Sequence, residues 1–116
     1  VELLKEDIIN RDDRTLTKIN VPEWGGHIYI RPLSGIERVA YEESVAALPK
    51  DEKNGIQVIT RFLAMVLTDS KGDRLFSEND HNELAKKRWD VIMRIFNKAG
   101  RINAIDEKSI DELEKN

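Results

Sequence analysis

Val21-Pro22-Glu23-Trp24-Gly25-Gly26-His27-Ile28-Tyr29-Ile30-Arg31, running through Pro32 into Leu33-Ser34-Gly35-Ile36-Glu37-Arg38, sets a strand, a reversal, a second strand and a helix start side by side. Upstream of it, Thr15 to Val21 continues a period of two, the repeat of a strand. Pro22 stops that strand, and Gly25-Gly26 supplies the backbone freedom for a reversal. His27 to Arg31 then places Ile28 and Ile30 on one face and His27, Tyr29 and Arg31 on the other. The pair predicts a β-hairpin. Ser34 followed by Glu37 is the spacing of a capping box, in which the hydroxyl accepts from a free first-turn amide and the carboxylate reaches back to the cap. A helix from Gly35 to about Leu48 follows, and Pro49 forbids its continuation.

Outward from this segment the chain reads as mainly helical. Leu3 to Asn10 sets Leu4 and Ile8 at helical spacing, and Arg11-Asp12-Asp13-Arg14 is a charged break. Lys50 to Gly55 is a polar linker, and Ile56 to Leu67 is long enough to prefer helix over strand despite its β-branched content. Asp69-Ser70-Lys71-Gly72-Asp73 is a turn leading into Leu75-Phe76. Ser77 and Asp80 have the spacing of a second capping box, opening a short polar helix that closes near Lys86 or Lys87. Trp89 to Asn103 carries the strongest helical pattern. A final helix is expected after Asp106, with Ile105 and Ile110 as a hydrophobic staple. The expected fold is α+β, mainly α, with about five or six helices and one N-terminal β-hairpin. All 116 residues fall in a single domain, 1–116.

Composition narrows the function classes. Charged residues are 35% and hydrophobic residues 40%, which suits a globular chain with a well-solvated surface. A net charge of -3 argues against generic nucleic-acid binding, which rests on clustered positive charge. There is no cysteine, hence neither a disulfide framework nor a thiolate metal site, as suits a reducing cytoplasm. The longest apolar run, Phe62 to Leu67, is too short to span a membrane, and the N-terminus lacks a signal-peptide pattern. The first residue is Val1 rather than methionine, as expected where residues ahead of it are removed or left unnumbered.

The search for chemistry is negative. His27 and His81 are the only histidines; neither has a second histidine at ligand spacing, and both are expected to face solvent. Lys71 stands where a calcium loop needs an oxygen ligand, so Asp69 to Asp73 is read as a turn. Asp12-Asp13 and Glu42-Glu43 read as solvated pairs. No phosphate-binding glycine loop, nucleophile elbow or cysteine nucleophile is present. The reading is therefore not an enzyme, with no catalytic, cofactor or metal residue.

Association is where the sequence is more suggestive. On a helical wheel Asp90, Arg94, Asn97, Lys98 and Arg101 share a polar arc, while Trp89, Val91, Ile92, Met93, Ile95, Phe96, Ala99 and Ile102 fill the remainder. After Gly55, Gln57, Thr60, Arg61 and Thr68 cluster, and most other positions are apolar. Either these two helices pack centrally beneath the others, or part of the apolar surface meets another chain. Arg94, Lys98 and Arg101 form a stripe that could receive an acidic partner, or be the wet face of the helix. Lys86-Lys87-Arg88 beside Trp89 reads as a cationic helix end, with a single-strand grip as the alternative. Trp24 is an interface anchor if exposed and ordinary core if buried.

The Val21–Gly26 turn, the Ile28–Arg31 strand and the Leu33–Arg38 helix start together resemble the tail assembly chaperones of long-tailed bacteriophages and prophages. The Lys5–Asn10 opening, Leu67-Thr68-Asp69, Gly72-Asp73-Arg74-Leu75-Phe76, Ile102-Asn103 and the acidic ending Glu114-Lys115-Asn116 agree in order. The resemblance implies a non-enzymatic protein of the host bacterial cytoplasm, absent from the mature virion. It would bind the tape measure protein, keep it soluble, and leave as tail tube subunits polymerise. A frameshifted longer form would recruit the major tail protein, this chain being the short form or the shared N-terminal domain; a homo-oligomer is left open. No nucleic acid, membrane or cofactor is implied. The partner-binding surface is expected at Phe62, Met65, Trp89, Met93 and Phe96, with Arg94, Lys98, Arg101 and Trp24 beside them. A structural tail or neck component and a small nucleic-acid-binding regulator are the alternative readings.

Overall fold

The computed structural model describes residues 1–53 and 55–104, so the helix expected after Asp106 lies outside the described residues. In chain order the elements are α1 (Lys5–Ile9), β1 (Thr17–Val21), a 3-10 turn (Pro22–Trp24), β2 (Gly26–Ile30), α2 (Gly35–Ala46), α3 (Ile56–Val66), β3 (Leu67–Thr68), a second 3-10 segment (His81–Lys86) and α4 (Trp89–Ile102). The fold is α+β and mainly α.

The hairpin forms as its residues dictate. β1 and β2 pair antiparallel from Thr17 opposite Ile30 to Val21 opposite Gly26. Pro22 opens the single 3-10 turn, whose end is Gly25 at φ 80°, with the Gly25 amide donating to the Pro22 carbonyl at 3.0 Å. No atom lies within 4 Å of where a Gly25 Cβ would stand, so it is backbone conformation and not space that calls for glycine. Val21 and Ile30 are buried on the core face, with Ile19 and Ile28 packed partly beneath them.

The hairpin is one strand short of the sheet. α3 ends at Val66, and Leu67 turns to extended backbone (φ -80°, ψ 124°). Leu67 and Thr68 then pair with Ile30 and Tyr29, giving the order β1-β2-β3. Two residues carry no alternation that a sequence pattern could register. The Arg31 amide donates to the Val66 carbonyl at 2.9 Å, extending the join by one step.

α3 lies at the centre. Val58, Phe62 and Leu63 are fully buried, and Phe62 packs between Tyr41 of α2 and Phe96 of α4 with ring centroids 5.3 and 5.7 Å away. The Tyr41 hydroxyl donates to the Val58 carbonyl at 3.1 Å, and burial raises its proton affinity. Two arginines close the last turn of α3, where helix carbonyls have no partner of their own. Arg31 Nε donates to the Met65 carbonyl at 2.7 Å and Arg74 Nε to the Ala64 carbonyl at 2.9 Å.

The Ser34 box is reciprocal. Ser34 Oγ accepts from the Glu37 amide at 3.2 Å, and Glu37 Oε1 accepts from the Ser34 amide at 2.9 Å. Glu37 also meets Arg31 at 2.8 Å and Arg14 at 2.9 Å. Burial opposes its charge, but the Ser34 amide and the Arg31 guanidinium outweigh it and hold the carboxyl below its ordinary range.

The Ser77 box does not form. Ser77 Oγ donates to the Asp80 carboxylate at 2.9 Å and accepts from the Asn79 amide at 3.3 Å, and the segment winds as 3-10 from His81. The polar arc of α3 is corrected as well: Thr60 and Thr68 are fully buried. Their hydroxyls find partners inside, Thr60 at His81 and Thr68 at the Asp69 carbonyl. His81 is itself 3% exposed, contrary to its expected solvent position.

Candidate partner-binding surface

α4 divides cleanly. Val91, Ile92, Ile95, Phe96, Ala99 and Gly100 are buried, while Asp90, Arg94, Lys98 and Arg101 are exposed. Between the two arcs lie half-buried Met93 and Asn97. The apolar width of this helix is therefore used inside the molecule, as the central-packing reading requires. At its C-terminus Asn103 Oδ1 accepts from the Leu33 amide at 2.6 Å, and Asn103 Nδ2 donates to the Ala99 carbonyl at 3.0 Å. The helix is thus buckled to the β2–α2 connection.

The residues singled out from sequence separate into three groups. Phe62 and Phe96 are fully buried at the heart of the core, so neither offers a surface to a partner in this conformation. They meet edge-on because α3 and α4 pack on each other. Met65, Met93 and Trp24 are half-buried against the core. Trp89, Arg94, Lys98 and Arg101 are exposed, with Trp89 at 59%. What the fold brings together on the outside is thus the polar stripe of α4 with Met93 along its border and Trp89 at its start.

Electrostatics binds this stripe to the hairpin. Arg94 grips Glu23 with both terminal nitrogens at 2.7 Å, joining α4 to the turn across 71 residues of sequence. The Arg94 hydrogen bonds pull the Glu23 carboxyl down to about 2. Arg88 is held by Asp90 at 2.6 Å and Lys86 by Glu83 at 3.3 Å. The basic run is therefore largely paired locally. Lys87, Lys98 and Arg101 have no carboxylate within salt-bridge distance among the described residues.

Beside the stripe is a cleft of about 340 Å³ lined by Trp24, Phe76, Leu84, Glu83, Lys86 and Lys87. Its walls come from the hairpin turn, the loop after β3 and the second 3-10 segment. Sequence reasoning treated these as three unrelated punctuation marks, and no periodic signal links them. The pair Thr60 Oγ1 and His81 Nδ1, 2.9 Å apart, lies inside the molecule. Burial, and then the charge of Arg61, lowers the His81 proton affinity. Among the described residues no three His, Asp or Glu side chains gather as metal ligands, and no helix is long and apolar enough to cross a membrane.

The family model described as phage tail assembly chaperone matches residues 4–116. Among solved structures, the chain is similar to the bacteriophage HK97 tail assembly chaperone, with TM-score 0.59 and 22% identity, over 77% of this chain and 85% of that one. At that identity the likeness is one of fold. No curated protein matches.

Proposed function

The chain belongs to the phage tail assembly chaperone family, and from that premise we propose that it binds the tape measure protein, keeps it soluble and is displaced as tail tube subunits polymerise. The observation carrying this reading is the family match across residues 4–116. The family is one of chaperones rather than enzymes. The client surface is the outer strip of α4. Trp89 supplies an exposed aromatic anchor and Met93, on the border of the strip, an adaptable apolar contact for a client of varied sequence, with half-buried Met65 of α3 as a separate apolar contact. Lys98 and Arg101, without a salt-bridge partner among the described residues, meet acidic positions of an amphipathic helix, with Arg94 shared between Glu23 and the client. Phe62 and Phe96 act from below, by holding α3 against α4, and Trp24 supports the turn that carries Glu23. Action takes place in the host bacterial cytoplasm, the protein leaves before the virion is complete, and a frameshifted longer form recruits the major tail protein.

Co-expression with the tape measure protein tests this. The soluble fraction of the client is expected to rise with the chaperone and to fall when Trp89→Ala and Lys98→Glu are combined. Equal client solubility with and without the chaperone would sink the reading. Mass spectrometry of purified particles addresses departure, since a retained tail component would be found there in stoichiometric amount.

A further inference from the structure

Arg61 of α3 lacks the kind of internal partner that Thr60 and Thr68 find. Its Nε is buried and meets no hydrogen-bond acceptor. Among the described residues no carboxylate lies within salt-bridge distance of its guanidinium. A guanidinium has donors and no acceptor of its own, and a buried donor left unmatched is costly.

Beside it is a cavity of about 50 Å³ lined by Ser44, Arg61, Ala64, Met65, Glu78 and His81. Ala64 and half-buried Met65 form its apolar wall. The Ser44 hydroxyl already donates to the Tyr41 carbonyl at 2.7 Å, and His81 Nδ1 stands 2.9 Å from Thr60 Oγ1. Arg61 is therefore the group on this wall with a donor to spare. We propose that the cavity takes a single carboxylate, the side-chain carboxylate of an acidic residue on a protein partner, with Arg61 as its donor and Met65 against the partner's neighbouring apolar surface. The volume admits a carboxylate head and little else, so the body that carries it stays outside, beside Met65. Charge selects a monoanion. Glu78 lines the same cavity and Asp80 adjoins His81 in sequence, so a phosphate dianion would be repelled twice for one attraction. Glu78 also has no salt-bridge partner among the described residues, which makes it the resident competitor for Arg61. Met65 is shared with the client reading, but the carboxylate site does not depend on which protein supplies the acid.

Nuclear magnetic resonance of the full chain tests this, with acetate as the first probe at ionic strength held constant by chloride. The Arg61 Nε–H resonance is expected to shift and saturate in the millimolar range. The His81 ring should take up its proton at higher pH with acetate bound, because the anion offsets the Arg61 charge that opposes it. Arg61→Gln is expected to weaken acetate roughly tenfold or more. Glu78→Gln, at an exposed position, should strengthen it, and keeps the test open if Arg61→Gln fails to fold. A helical peptide with one glutamate among leucines should bind more tightly than acetate, and the same peptide with glutamine in that place should not. Shifts equal for acetate and chloride, a response surviving Arg61→Gln, no gain from Glu78→Gln, or inorganic phosphate binding more tightly than acetate would each overturn the proposal. So would a glutamate peptide that binds no better than acetate or than its glutamine counterpart. None of these readouts involves the tape measure protein, so they fail independently of the client reading.

Discussion

Helices α3 and α1 both carry aliphatic residues in close succession, and their fates are opposite. α3 buries Val58, Ile59, Thr60, Phe62, Leu63, Ala64 and Val66, polar and apolar alike, because α2, α4, the sheet and the 3-10 segment surround it. α1 buries nothing, because no other element among the described residues covers it. Burial here is decided by position in the topology more than by side-chain type. The same lesson applies within α4, where one face fills the core and the other meets solvent.

The sharpest way to break this contrast is Phe62→Ala, which removes the ring shared by Tyr41 and Phe96. Denaturant unfolding is expected to show a loss of about 3–5 kcal/mol, whereas Ile8→Ala in α1 should leave the midpoint unmoved. Acid gives the next effect. His81 has its folded proton affinity lowered, so the unfolded chain takes up the proton first. Stability is therefore complete above the ordinary histidine value near 6.5 and falls as pH drops below it, by no more than about 1.4 kcal/mol per pH unit for one proton. His81→Gln should flatten that limb in melts between pH 7 and 5. The depressed Glu23 and Glu37 carboxyls weaken the fold only further down, below about 4.5, with Glu23 lost as pH approaches 2.

Ser34→Ala removes the acceptor of the Glu37 amide and is expected to cost about 1 kcal/mol in thermal or denaturant melts. A neutral result would mean that the Arg31 and Arg14 contacts alone hold the α2 start. Trp89→Ala is expected to change stability by no more than about 0.5 kcal/mol, since the ring is mostly in solvent. A larger loss would move Trp89 from the outer surface to the core side of the comparison.

Legibility followed the range of the interactions. The hairpin, the Ser34 box and α4 were readable because each is set by neighbours a few residues apart: a proline and a glycine at a reversal, a hydroxyl three residues before a carboxylate, a sustained helical repeat. The Ser77 spacing misled because the same local chemistry allows a second outcome, in which the hydroxyl bonds the Asp80 carboxylate directly. Of the surface, Arg94, Lys98 and Arg101 stand outside as the polar arc indicated, and Trp89 stands outside although it falls in the apolar arc. Phe62 and Phe96 could not be told from surface aromatics by pattern, since an apolar arc does not name what it faces. Nor could the cleft, whose floor is assembled from Trp24, Phe76 and Leu84.

By itself, then, the amino-acid order determined where the chain turns, caps and winds, because backbone conformation and capping bonds are settled within a turn of the residues that make them. Only the tertiary structure decided that Leu67 and Thr68 become a third strand, that Thr60 and His81 face each other indoors, and that Glu23 reaches Arg94. Those outcomes depend on which distant groups arrive alongside to supply hydrogen bonds, opposite charge or apolar cover. Among the described residues, α1 is where that supply runs out.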